Sequence, residues 1–505
     1  MTNNVSGIVK TRRPGHMLIT TALLVFSLLS FLCFFSANWY VSVYGRIGFD
    51  SVLFTLTSDL GGVQSGLIVK YLLNAALPTV LCTAVLGFLL FFPWKTIRFL
   101  PPKRWICATI SLALSVVLLV HGLWNVELPQ YIIAQMQSSA IFETEYRDPN
   151  RVSITFPEQK RNLVYIMLES MEVSYLSKDM GGAIDYNLIP ELTQLAQDNI
   201  NFSHNESVGG FREVTGSGWT IGAMVSQTSG VPLKTPSTLA DRFNGYGKNG
   251  EFLPGLTTLG DILHENGYNQ ALMVGSDAGF GGRKTYYSTH GIDKIYDHGT
   301  AQQDGIIENG YHVWWGMEDE YLFRYAKQKI LEMAAYDAPF AFTMLTVDTH
   351  HVGGYKCSLC GNDHKENYEN VIRCASRQVA QFVAWLQQQP FYENTTVIIA
   401  GDHRSMDNGY FTRNVEEGYE RHIYNCFINA AATPVATQNR DFTTLDLFPT
   451  TLAAMGCTIE GNRLGLGTNL FSNVPTLAEA MGYDTFSAEV AKDSDFYARH
   501  FFTKN

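Results

Sequence analysis

Residues 395–403 read TTVIIAGDH. Thr395 to Ala400 is a short run of apolar and β-branched residues, the pattern of a strand buried on both faces of a parallel sheet. It stops abruptly at Gly401-Asp402-His403. Two other runs repeat the arrangement: LVYIML (163–168) ends in Glu169, and AFTMLTVD (341–348) leads into Asp348-Thr349-His350-His351. QALMVG (270–275) reads as a fourth strand and INFSHN (200–205) as an extended segment. Helical patterns fall between them at 190–197, 256–267, 319–336, 375–389 and 444–456. Alternating strands and helices predict an α/β domain, a mostly parallel sheet sandwiched by helices.

In such sheets ligands bind beyond the carboxyl ends of the strands, where Glu169, Asp402, His403, His350 and His351 fall. Each residue alone has an ordinary reading as a turn or cap former. Carboxylates and an imidazole at one sheet edge are, together, a donor set for a divalent transition metal.

The stretch GGFREVTGSGWTIGAMVSQTSGVPL (209–233) turns from loop formers into a helical run at Trp219-Thr220. Thr220 reads on its own as a helix N-cap. A hydroxyl in the first helical turn is also where free backbone N–H groups favour an anion, which suits a nucleophile that attacks phosphate. A metal at the sheet edge would lower its pKa. Thr215 and Ser217 are rival hydroxyls placed before the helix start.

The chain has 505 residues and net charge −11, too long for one compact core. Three runs almost free of charge, about 17–39, 71–94 and 105–124, have the length of membrane-spanning helices. Basic residues crowd before the first and between the second and third. The positive-inside rule therefore places the N-terminus in the cytoplasm and everything after Trp124 outside. Residues 1–104 hold nine Lys/Arg and two Asp/Glu, leaving 27 basic and 45 acidic residues for the rest. An acidic exterior excludes nucleic acid as a partner. The expected organisation is a transmembrane region (1–124), a juxtamembrane connector (125–160) with an amphipathic helix, a catalytic domain (161–475) and a C-terminal tail (476–505). Outside the membrane, Cys374 is expected to form a disulfide with Cys357 or Cys360, a zinc site lacking a fourth nearby ligand.

These motifs resemble the alkaline phosphatase/sulfatase superfamily and, within it, the membrane-anchored phosphoglycerol transferases. The resemblance rests on LVYIMLES, GSGWTIGAMVSQTSGVPL, GDILHENGY, GSDAGFGGRKTYYSTHGI, WWGMEDEYLF, LTVDTHH, IIAGDHRSM and RLGLGTNLF, spread over residues 160–475. It implies one divalent metal ion, manganese(II) foremost with zinc(II) or magnesium(II) as alternatives, held by Glu169, Thr220, Asp402 and His403. It implies Thr220 as nucleophile, phosphatidylglycerol as donor and a periplasmic or cell-surface glycan as acceptor. It further implies Arg283 on the headgroup, a role for His350 or His351, and a multi-pass protein of the bacterial inner membrane with its catalytic domain in the periplasm. Lipoteichoic acid synthase carries a Trp where Gly281 stands here, so headgroup contacts are expected to differ. The sulfatase pattern of Cys or Ser followed by x-Pro-x-Arg is absent. The alternatives are a phosphoethanolamine transferase of the same fold and an inactive lipid-binding or transport protein. Trp314 and Trp315 read as core or interfacial aromatics, with a sugar platform as the functional alternative.

Overall fold

The computed structural model describes residues 14–46, 48–57, 65–91, 104–234, 250–292 and 294–503. The chain divides into two compact units, one of Met1–Ser42 and Ser65–Pro129, the other of Val43–Gln64 and Gln130–Asn505.

In the first unit three helices are long and apolar enough to cross a membrane, Met17–Tyr44, Gly66–Phe91 and Ile106–Asn125, which marks the chain as a membrane protein. The first runs past its expected end and the second starts earlier than expected. Part of the loop expected to carry basic residues, 92–103, lies outside the described residues. Small and polar residues mediate helix contact, as expected where lipid supplies no hydrophobic drive. Ser115 donates to Ser27 at 2.8 Å, and a Cβ on Gly122 would come within 3.1 Å of the Phe34 backbone.

The second unit is built on a seven-stranded sheet. Its strands are β1 (Asn162–Leu168), β2 (Gly210–Phe211), β3 (Asn269–Val274), β4 (Lys294–Tyr296), β5 (Phe340–Leu345), β6 (Thr395–Gly401) and β7 (Ile423–Ile428). The order is β2-β7-β6-β1-β5-β3-β4. The five strands from β6 to β4 are parallel, and β7 is antiparallel to both β6 and β2. Side-chain alternation splits β1 between two cores: Leu163, Tyr165 and Met167 enter one, Val164, Ile166 and Leu168 the other. Helices Thr220–Ser229, Leu259–Glu265 and Leu447–Ala454 supply the first core, and Pro190–Asp198, Asp319–Ala334 and Asn367–Leu386 the second. Both faces are covered, which is why the strands carry no polar alternation.

Several expected boundaries are corrected. Residues 200–205 contribute only a single bridge, Ile200 to Phe427, and the strand in that neighbourhood is β7. The connector forms two short helices, Leu128–Gln135 and Ile141–Glu145, instead of one amphipathic helix. Ile141 and Phe142 are buried in the first core, so burial within the protein satisfies this apolar face. The expected tail is part of the same core through Phe486, Val490, Tyr497 and Phe501. Most unexpectedly, the chain between the first two spans joins the second unit: Phe49–Thr57 is helical and Phe54 packs on Trp219 with ring centroids 5.8 Å apart.

Candidate active site

Strand register creates the site. Leu168 lies opposite Gly401 in the parallel β1–β6 pair, so the next residues, Glu169 and Asp402, leave the sheet side by side. The Asp402 N–H donates to the Leu168 carbonyl at 3.0 Å and continues the ladder by one step. Asp402 Oδ1 accepts two backbone N–H bonds, from Ser170 at 2.8 Å and His403 at 2.7 Å. Glu169 is anchored by its own N–H, donated to Thr346 Oγ1 at 2.9 Å, and Ser170 Oγ donates to Glu169 Oε1 at 2.9 Å.

Thr220 arrives from the other direction. It is the first residue of the helix Thr220–Ser229, and Trp219, not Thr220, holds the N-cap position without a side-chain cap bond. The Thr220 hydroxyl is therefore free of capping duty. Its Oγ1 stands 3.5 Å from Glu169 Oε2 and 3.4 Å from His403 Nε2. Ser217 is engaged elsewhere, donating to the Val214 carbonyl at 2.8 Å. The helix is pinned by a residue whose role the sequence reading did not foresee. Buried Gln227 donates to the carbonyls of Gly401 at 2.9 Å and Asp402 at 3.2 Å, and accepts from Tyr165 at 2.8 Å. Gly222 permits the tight start, because a Cβ there would meet the Gly216 carbonyl oxygen at 2.6 Å.

The His403 Nδ1–H donates to the Arg404 carbonyl at 2.8 Å, so Nε2 turns toward the carboxylates, 3.3 Å from Asp402 Oδ2 and 3.7 Å from Glu169 Oε1. This is how a metal-ligating imidazole is oriented. Asp402 Oδ2 is buried and receives no hydrogen bond. Burial pushes the Glu169 pKa up, with Asp402 adding to the rise, and burial likewise raises Asp402. Burial opposes charge on His403, but Asp402 and Glu169 outweigh it and its pKa rises. Donors around a four-coordinate cation at about 2.1 Å lie about 3.4 Å apart. The spacings of 3.3 to 3.7 Å among these four side chains match that edge, and the orphaned Oδ2 is a donor in need of a cation. The residues fit a divalent ion.

Around this centre the loop after β6 is braced by two ion pairs. Arg404 binds Glu213 through its N–H at 2.5 Å and its Nε at 2.7 Å. Arg421 grips Glu172, which also accepts from the Ser405 N–H at 2.8 Å. Arg283 is buried, 5% exposed. Its guanidinium donates to the carbonyls of Phe280 at 3.0 Å and Asp277 at 2.6 Å and to Ser276 Oγ at 2.9 Å. Burial lowers its pKa to about 10 against the pull of Glu169, Asp277, Asp297 and Asp402. Gly281, left-handed at φ 65°, places its missing Cβ 3.7 Å from Ile221, next to Thr220.

His350 and His351 stack with centroids 4.3 Å apart. Trp315 lies 4.6 Å from His350 and 5.5 Å from Phe280, so it spans the gap between the histidine loop and the arginine loop. Tyr44, the last residue of the first long apolar helix, packs edge-on against His351 at 5.0 Å. Burial lowers the pKa of both histidines, and neither ring nitrogen of His351 has a hydrogen-bond partner. An imidazole kept neutral by burial is available as a proton acceptor. Tyr44 and Gln227 carry no local motif; only their non-local contacts reveal them.

The chain belongs to the sulfatase family, whose profile matches residues 161–457. It is 31% identical over 337 residues to phosphoglycerol transferase I of Xanthomonas campestris pv. campestris, covering 65% of this chain and 45% of that protein. It is 28% identical over 372 residues to phosphoglycerol transferase I of Salmonella choleraesuis, covering 71% and 45%. The matched region thus spans about half the length of these relatives. Lipoteichoic acid synthase LtaP from Listeria monocytogenes superposes with a TM-score of 0.48 at 19% identity, over 64% of this chain and 79% of that one.

Proposed function

We propose that this protein is a phosphotransferase that moves a phosphoglycerol group from phosphatidylglycerol to a periplasmic or cell-surface glycan through a phosphothreonine at Thr220. The observation that carries the reading is the Thr220 hydroxyl, uncapped at a helix start and 3.4 to 3.5 Å from His403 and Glu169. The relatives named for phosphoglycerol transfer supply the group transferred. Convergence of all four side chains speaks against an inactive lipid carrier.

Glu169, Thr220, Asp402 and His403 would hold one divalent cation, for which manganese(II) is our assignment. When bound, such an ion lowers the pKa of the threonine hydroxyl and offsets phosphate charge. Thr220 loses its proton, Oγ1 bonds to phosphorus, and the phosphorus–oxygen bond to diacylglycerol breaks, the departing alkoxide taking up a proton. The first turn of the helix presents backbone N–H groups to the phosphoryl oxygens. Arg283 supplies positive charge to the headgroup phosphate, and Trp315 offers an apolar face for glycerol or sugar. His350 or His351 accepts the proton of an acceptor hydroxyl, which attacks phosphorus and releases Thr220. The distribution of basic residues supports a catalytic unit on the outer face of a bacterial cytoplasmic membrane.

The test is intact-protein and peptide mass spectrometry after incubation with phosphatidylglycerol and no acceptor. A phosphoglycerol adduct on the peptide containing Thr220 is the expected result. An adduct on Ser217 or Thr215, or normal transfer by Thr220→Ala, refutes the assignment.

A further inference from the structure

Outside the catalytic centre, three cysteines converge. Cys357 and Cys360 face each other across a tight turn closed by the Cys360 N–H on the Cys357 carbonyl at 3.2 Å. Cys374 comes from the helix Asn367–Leu386. The expected disulfide is not formed: Cys357 Sγ lies 3.6 Å from Cys360 Sγ and 3.9 Å from Cys374 Sγ, and the three sulfurs fall within 4.8 Å of one another. Three explanations compete: thiols packed as small apolar groups, a disulfide with a spare thiol, or a metal.

Two observations choose among them. The first is spacing. A disulfide brings two sulfurs to about 2.05 Å and leaves the third aside, whereas Cys357 is nearly equidistant from both neighbours. Thiolates about 2.3 Å from a tetrahedral ion are about 3.8 Å apart, between the two distances found. The second is the polar surround. Gln378 Nε2 points at the sulfurs of Cys374 at 3.5 Å and Cys357 at 3.8 Å, and Arg377 Nη2 points at Cys374 at 3.6 Å. Cys374, Arg377 and Gln378 share one helix face at i, i+3 and i+4. Donors and a cation aimed at sulfur suit thiolates and are wasted on an apolar packing of neutral thiols.

We propose that Cys357, Cys360 and Cys374 form a binding site for a soft divalent ion, zinc(II) by ligand chemistry. Three thiols give up their protons to solvent as the ion binds, and water fills the fourth position, since no other His, Cys, Asp or Glu joins the group among the described residues. Arg377 offsets the net negative charge of a three-thiolate zinc centre. The site clasps the loop that follows His350-His351 to the helix behind it: Cys357 is six residues beyond His351, and between them the Tyr355 N–H is tied to the Asp348 carbonyl at 2.7 Å. Its role is to hold the histidine loop, and it does not depend on what the catalytic centre transfers.

The test uses full-length protein in detergent, with cobalt(II) and zinc(II) as the only probes. Cobalt(II) should give a thiolate-to-metal charge-transfer band in the near ultraviolet, which a centre of oxygen and nitrogen donors cannot produce. A thiol-specific mercurial should release one equivalent of zinc. Cys374→Ser should abolish the band and weaken zinc binding about 100-fold or more, while Asp402→Ala keeps it. Because Cys374 is buried, Cys360→Ser, at the partly exposed position, serves as the second variant and should also lose the band with the thermal transition still cooperative. A band that survives both cysteine variants overturns the proposal. So does a disulfide among the three cysteines in protein whose free thiols were blocked at lysis, or three free thiols with no zinc bound.

Discussion

The two three-donor clusters of the catalytic unit differ in what holds them. Glu169, Asp402 and His403 stand on the ends of adjacent parallel strands, and Asp402 Oδ1 accepts the backbone N–H groups of Ser170 and His403 before any ion is considered. Cys357, Cys360 and Cys374 join an irregular loop to a helix, and their sulfurs meet each other and two helix side chains. The first cluster has carboxylate and imidazole donors, an orphaned carboxylate oxygen and the Thr220 hydroxyl alongside. The second has soft donors and no substrate-reactive neighbour. Pre-organisation by a sheet suits a centre that must keep its geometry while substrate comes and goes. A loop clasp suits a part whose task is to stay closed.

The largest expected effect falls on the sheet-edge cluster. Thr220→Ala should cut transfer by about four orders of magnitude, to background, because the proposed mechanism gives the phosphoryl unit no other carrier. Metal content and the thermal transition should stay near normal, since Glu169, Asp402 and His403 remain. Coupled loss of metal in this variant would show that the strand ends do not form a pre-organised centre. Asp402→Ala should lose both the cation and the activity, measured by metal analysis of purified protein. Retention of stoichiometric metal there would place the centre elsewhere.

Next comes the brace. Gln227→Leu removes a buried amide that serves two carbonyls and a tyrosine hydroxyl. Leaving those partners unsatisfied should cost about 2–3 kcal/mol of unfolding free energy and lower kcat more than donor KM, as the Thr220 helix loosens from the end of β6. Unchanged stability would mean the helix is placed by packing alone.

The acid limit sharpens the comparison from the sheet side. His422, the residue just before β7, stacks on His204 at 3.6 Å, and burial together with His204 lowers its pKa to about 3. The unfolded imidazole titrates near pH 6.5, so below that pH the unfolded chain binds the proton that the folded one refuses. Stability is therefore full above about pH 6.5 and falls as the pH drops toward 3, by about 2 kcal/mol at pH 5 from this group. Thermal melts at pH 7 and pH 5 should show the loss, and His422→Phe should reduce it while keeping the stack. The smallest effect belongs to Tyr44→Ala, which uncovers one edge of His351. A few-fold fall in kcat/KM with unchanged metal content is expected; no change would leave Tyr44 a packing residue only.

Sequence alone determined the parallel strands β1, β3, β5 and β6, the membrane spans and the identity of the residues at the strand ends. The reason is physical: strands buried on both faces demand unbroken apolar runs, and a membrane helix demands a long one, so burial writes itself into local composition. The position of Thr220 at a helix start was legible because a loop-to-helix transition is a local feature. The antiparallel strand β7 escaped notice since IYNCFI carries polar residues inside a buried strand. Tertiary structure alone decided the rest. Gln227, the Arg404–Glu213 and Arg421–Glu172 pairs, and the arrival of Tyr44 and Phe54 depend on partners far away in the chain, and no window of sequence holds both halves of such a contact. The supposed tail is the same case: its aromatics look like any apolar scatter until the core they fill exists to receive them.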